Sequence, residues 1–155
     1  MLAKSVPSSE YMPIIYQVVT WVLVILGWLI VWMTQKIHIR RTECRSKLNG
    51  CVKKMNELEE LAIEYHCASS ADVKQARQIK TRIEQLLFSI RNTNLLNPDD
   101  YSRVGCDIRQ SITLDNFDST NHKSQQMDST IVQGIGGASR QVEEYLEAAF
   151  NKKYD

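Results

Sequence analysis

The chain is expected to be all-α: a single N-terminal transmembrane helix followed by a small cytoplasmic bundle, built as a helical hairpin plus two further helices. Three observations predict this. Residues 11–35 carry no charge at all. Beyond them, apolar residues recur at steps of three and four, the period of a helix with one buried face. Only 3 prolines occur in 155 residues, and Pro98 falls where a helix should begin.

With 43% hydrophobic and 24% charged residues and a net charge of +1, the composition speaks against collagen-like, mainly disordered and disulfide-scaffold classes. It also speaks against a strongly basic nucleic-acid binder, so no nucleic acid is expected as a partner.

The membrane span is placed at residues 14–33, after a short extracytoplasmic tail over 1–13. At about 1.5 Å per residue such a run covers roughly 30 Å, the hydrocarbon thickness of a bilayer. Its polar or small members are Tyr16, Gln17, Thr20 and Gly27. A core helix would show a polar face. A cleaved signal peptide has a shorter apolar run and a small-x-small site, which Thr34-Gln35-Lys36 does not offer.

Flanking charge sets the orientation. The tail holds Lys4 and Glu10, whereas Lys36, Arg40, Arg41, Arg45, Lys47, Lys53 and Lys54 follow the span against one acid, Glu43. Basic residues near a span stay in the cytoplasm, so the expected location is the cell (inner) membrane with the N-terminus outside. Trp28 and Trp32 suit the inner interface, Tyr11 and Tyr16 the outer one, and Trp21 lies too deep for either. Lys36, Arg40, Arg41, Arg45 and Lys47 also form a flank suited to anionic lipid headgroups, at about 1 kcal/mol each near the surface.

Gln17, Thr20, Val24, Gly27, Val31 and Thr34 alternate by three and four and share one helix face. Small and polar residues on such a face permit close helix approach, so it is the expected association surface.

The basic flank continues into a membrane-proximal helix over 34–66, with Cys44, Leu48, Cys51, Met55, Leu58, Ala62 and Tyr65 as an apolar seam. No proline separates it from the span, so one long rod is expected, weakened at Gly50 by about 1 kcal/mol. Residues 67–70 break the pattern. Ser69 is the expected cap of a second helix, 70–92, with Asp72 in its first turn and Ala76, Ile79, Ile83, Leu86, Leu87 and Ile90 inward. A short turn between helices of similar length makes an antiparallel hairpin. Asn97-Pro98-Asp99-Asp100 starts a third helix, 98–114, with Tyr101, Val104, Ile108 and Ile112 facing the hairpin. Residues 111–117 also fit a short strand, and 118–126 is a polar loop.

A fourth helix, 126–152, carries Met127, Ile131, Ile135, Ala138, Val142, Tyr145 and Ala149. Gly134, Gly136 and Gly137 together cost it roughly 3 kcal/mol. Two alternatives are a break with Ser139 capping a second piece, and a close helix crossing. The unshifted register favours one helix with a soft centre.

Chemistry is sparse. Cys44 and Cys51 suit core packing, and His66, Cys67 and Cys106 lack zinc-ligand spacing. Cys44 is set back from the span, a poor position for lipid attachment. Gly134–Ser139 has neither the lysine nor the strand of a phosphate loop. His38, His66 and His122 form no catalytic arrangement by spacing. Asp99-Asp100 and Asp115 with Asp118 suit helix starts and turns, and Glu57–Glu64 a solvated face. No catalytic, cofactor-binding or metal residue is therefore assigned, and no small-molecule substrate is inferred.

The expected function is a non-enzymatic, membrane-anchored interaction or scaffold protein. Its partners would be membrane lipid and either a second copy or another protein, engaged through the seam and the small-residue face. The alternative is a small membrane-disrupting effector (toxin, lysis or defence protein) acting by assembly of the transmembrane helix.

Overall fold

The computed structural model describes residues 12–114, 116–117, 120 and 122–154, with the backbone alone for 12–15. The expected tail therefore lies outside the described residues up to position 11, including Lys4, Glu10 and Tyr11. So do Asp115 and Asp118. Four helices follow in order: α1 (Met12–Cys67), α2 (Val73–Thr93), α3 (Pro98–Thr113) and α4 (Thr130–Tyr154). No strand occurs among the described residues. The strand reading of 111–117 gives way because α3 runs on to Thr113, and the Leu114 N–H still bonds back to Gln110 O at 3.2 Å.

The chain divides into two compact units, Met1–Arg41 and Thr42–Asp155, and α1 contributes to both. In the first unit, α1 is exposed on every side from Tyr16 onward. An 18-residue window there has a mean hydropathy of 2.0 with nothing buried, so the helix is long and apolar enough to cross a membrane. That full exposure distinguishes it from a core helix of this fold.

The second unit is an up-down-up-down four-helix bundle. Opposing pairs fix each antiparallel neighbour. Glu57 meets Arg82 at 3.2 Å and Lys54 meets Ser89 at 2.6 Å, so α2 descends as α1 rises. Arg109 meets Glu84 at 2.9 Å across α3 and α2. Arg103 donates to Tyr145 at 3.0 Å across α3 and α4, and Arg45 pairs with Glu147 across α1 and α4. Short connections at 68–72 and 94–97 enforce the reversals.

The caps follow local chemistry. Asn97 accepts from Asp100 N–H at 2.7 Å, with Pro98 in the first turn. Asn94 closes α2 in the left-handed region (φ 51°), a conformation asparagine tolerates, and its N–H bonds to Arg91 O. Asp72 caps α2, accepting from Lys74 N–H at 2.7 Å, in place of the expected Ser69. The helix starts later than the pattern suggests, at Val73, and the extended backbone of Asp72 aims its carboxylate at the first free N–H groups.

All seven seam residues of α1 are buried, from Cys44 to Tyr65, and so are Ile79, Ile83, Leu86, Leu87 and Ile90 of α2. Val104, Ile108 and Ile112 complete the α3 contribution. The seam is therefore covered by the chain's own helices and is not free to bind a second copy, which removes one of the two expected association surfaces.

The face of α4 is wider than its three-four pattern implied. Val132, Ser139, Leu146 and Phe150 are buried beside Ile135, Ala138 and Val142, while Ile131, Tyr145 and Ala149 are half-buried. A helix packed between two neighbours must hide a broader stripe. Met127 is 72% exposed, because α4 begins only at Thr130. The helix is continuous through its glycines. A Cβ at Gly134 or Gly137 meets nothing within 4 Å, and one at Gly136 meets only the Glu59 carboxylate, at 3.3 Å.

Two outcomes follow for urea unfolding monitored by circular dichroism in mild detergent. Gly134→Ala and Gly137→Ala each raise stability by about 0.5–1 kcal/mol, since alanine fits the helix without contact. Leu58→Ala, at a fully buried site, lowers it by about 2–5 kcal/mol.

Candidate functional site

Three regions carry the chemistry, two in the first unit and its continuation and one at the far end of the bundle. The helical path of α1 brings Gln17, Thr20, Val24, Gly27 and Val31 onto one face, and all are exposed. The missing side chain of Gly27 leaves an open notch, since a Cβ there would meet nothing within 4 Å. The threonine hydroxyls are already satisfied: Thr20 donates to Tyr16 O and Thr34 to Ile30 O, each at 2.8 Å. This face therefore offers close packing at Gly27, with the Gln17 amide as its exposed polar group.

The basic flank divides by role. Lys36, Arg40, Arg41 and Lys47 are exposed, and the Lys36 ammonium lies 5.0 Å above the Trp32 ring. That cation–π contact sets an aromatic ring and a cation side by side where the apolar stretch gives way to the basic flank. Arg45 is engaged in the fold instead. It pairs with Glu147 and stacks over Phe150 at 5.3 Å, fastening α1 to α4.

The third region is where α1 ends. His66 is fully buried, with Nε2 2.9 Å from the Ile112 carbonyl and Nδ1 3.3 Å from Asn116 Nδ2. Burial lowers its pKa below the ordinary histidine range, and the charge of His122 acts in the same direction; the Ile112 bond opposes both. Tyr65 donates its phenolic proton to Phe117 O at 3.1 Å and packs against the Phe117, His66 and His122 rings. His122 faces the carbonyls of Asn116 at 3.2 Å and Ala68 at 3.0 Å. Ser124 donates to Cys67 O, and Gln125 N–H to His66 O.

Sequence spacing alone sets His66 at a helix end and His122 in a polar loop, and gives Asn116 no role. No periodic signal links residues so far apart. The usable hint was length: the α3–α4 connection is long for a compact bundle, and such a segment needs tethering.

Beside this region Tyr65, Ala76, Arg77, Lys80, Thr113 and Phe117 help line an open cleft of about 420 Å3. Among the described residues, no group of three His, Cys, Asp or Glu is placed to hold a metal ion. Comparison of the chain with known protein families, curated proteins and solved structures finds no match.

The cysteines give a direct check on this arrangement. Cys106 is exposed, whereas Cys44 and Cys51 are buried and burial pushes the Cys51 thiol up. Maleimide added to the folded chain is expected to modify Cys106 first and to reach Cys44 and Cys51 only after denaturation, as read by mass spectrometry.

Proposed function

We propose that the protein is a non-enzymatic, single-pass membrane-anchored interaction protein, with its N-terminus outside and its helical bundle in the cytoplasm at the inner surface of the cell membrane. One observation carries this reading. From Tyr16 through the apolar window α1 is exposed on all sides, while the bundle completes its core without that segment. An all-apolar helix with nothing to cover it is stable in lipid and not in water.

The excess of basic residues after the span supports the orientation. Lys36, Arg40, Arg41 and Lys47 supply contacts to anionic headgroups. Self-association runs through the Gln17, Thr20, Val24, Gly27 and Val31 face, where the Gly27 notch lets two helices approach. A pore built from this face finds less support, because the hydroxyl protons of Thr20 and Thr34 are donated to the backbone one turn earlier, which leaves Gln17 to line it.

Two measurements test the proposal. A tag on the C-terminus should resist protease added to intact cells, while one on the N-terminus is cleaved. Cross-linking in mild detergent should trap a dimer or higher species that Gly27→Leu removes. A chain that fractionates without detergent overturns the anchor, and a monomer with no companion protein overturns the interaction role.

A further inference from the structure

Asn116, 4% exposed, is held in one orientation. Its Oδ1 accepts from the Lys123 N–H at 2.7 Å and its Nδ2 donates to the Lys123 carbonyl at 2.8 Å. Turning the amide over would set donor against donor and acceptor against acceptor. The same Nδ2 faces His66 Nδ1, so that ring nitrogen must be the acceptor. The single proton of the neutral ring then lies on Nε2 and is donated to Ile112 O. This tautomer is assigned from the hydrogen-bond network. The site has room for one proton on His66 and none for a second.

We propose that acidification opens this end of the bundle, because a second proton on His66 turns its contact with Asn116 into donor against donor and releases Asn116, Phe117 and residues 122–125 from the end of α1. Among the described residues, few charged or titratable groups face His66. Tyr65 lies beside it on α1, and His122 comes from the α3–α4 connection. From α3 come Gln110, Ser111 and the Ile112 carbonyl, and from α4 Thr130, Ile131 and Gly134, all uncharged. Lys123 joins the network through its backbone, with its side chain exposed. Lys80 reaches Phe117 at 5.5 Å from α2.

The sign follows from the lowered His66 pKa. Above the ordinary value of 6.5 the ring is neutral whether the end is closed or open, and closure is fully supported. As pH falls below that value the open form takes up the proton first, and closure weakens until the lowered pKa is passed. His122 is a second imidazole at the same end, with both its nitrogens facing carbonyls. The two histidines must therefore be separated by substitution.

The test uses the full chain in detergent micelles. Amide exchange at residues 122–125, corrected for its intrinsic pH dependence, is followed at pH 7.5 and pH 5.0. Opening should increase on the order of tenfold in the wild type, as each tenfold step in the ring's proton affinity is a tenfold step in the opening equilibrium. His66→Gln keeps a donor for Ile112 without titrating, and should flatten the response. An identical pH dependence in wild type and His66→Gln overturns the proposal. Should the variant fold poorly, nitrogen shifts of the wild-type imidazole decide. Nδ1 must be bare at pH 7.5 and gain its proton together with opening. A proton already on Nδ1, or one gained there while residues 122–125 stay protected, overturns it.

Discussion

The fold depends on a change of environment within one continuous helix. From Tyr16 to Arg41 the side chains of α1 are exposed; from Cys44 onward it offers a single apolar seam buried in the bundle core. That seam joins the inward residues of α2, α3 and α4 in one apolar core, and apolar area removed from water is worth about 25 cal/mol per Å2. The helices α2, α3 and α4 are each short and polar on their outer faces. None has a buried stripe except against the others, so their order follows from covering α1.

Polar contacts refine what the core dictates. Arg45 with Glu147, Arg82 with Glu57 and Arg109 with Glu84 are exposed ion pairs, each worth at most about 1 kcal/mol. They set register between neighbours more than they add stability. The buried network at the end of α1 is different in kind. Every buried side-chain nitrogen and oxygen among the described residues has a hydrogen-bond partner, and a buried donor or acceptor left unmatched costs about 1–3 kcal/mol. His66, Asn116 and Tyr65 thus tie a long connection to the bundle without an apolar segment of its own beyond Phe117.

Much of this architecture was legible in the residues. The seam of α1 and the inward face of α2 were read from spacing alone, since both helices bury one narrow stripe. The Asn97-Pro98 start was legible because cap chemistry is local. The Ser69 assignment failed for the same reason: serine and aspartate both suit a cap, and only the backbone at Asp72 chooses. The α4 register was partly hidden, because a helix wedged between α1 and α3 buries Leu146 and Phe150, which fall beside the single-stripe pattern. Nothing in the sequence joins His66 to Asn116 and His122, as hydrogen bonds across a long connection leave no period. The face at Gln17–Val31 was legible as a pattern, and its threonines prove to be bonded to their own carbonyls.

The pairing of α1 with α4 has a temporal consequence. A ribosome adds about 5–20 residues per second, and Arg45 precedes its partner Glu147 by 102 positions. For roughly 5–20 seconds after Arg45 is added to the chain, one flank of α1 therefore has no cover. The nascent chain passes through a stage in which Cys51, Val52 and Met55, which lie beside Val142 and Leu146 in the finished bundle, are open to whatever apolar surface lies nearby, and only the emergence of the last helix ends it.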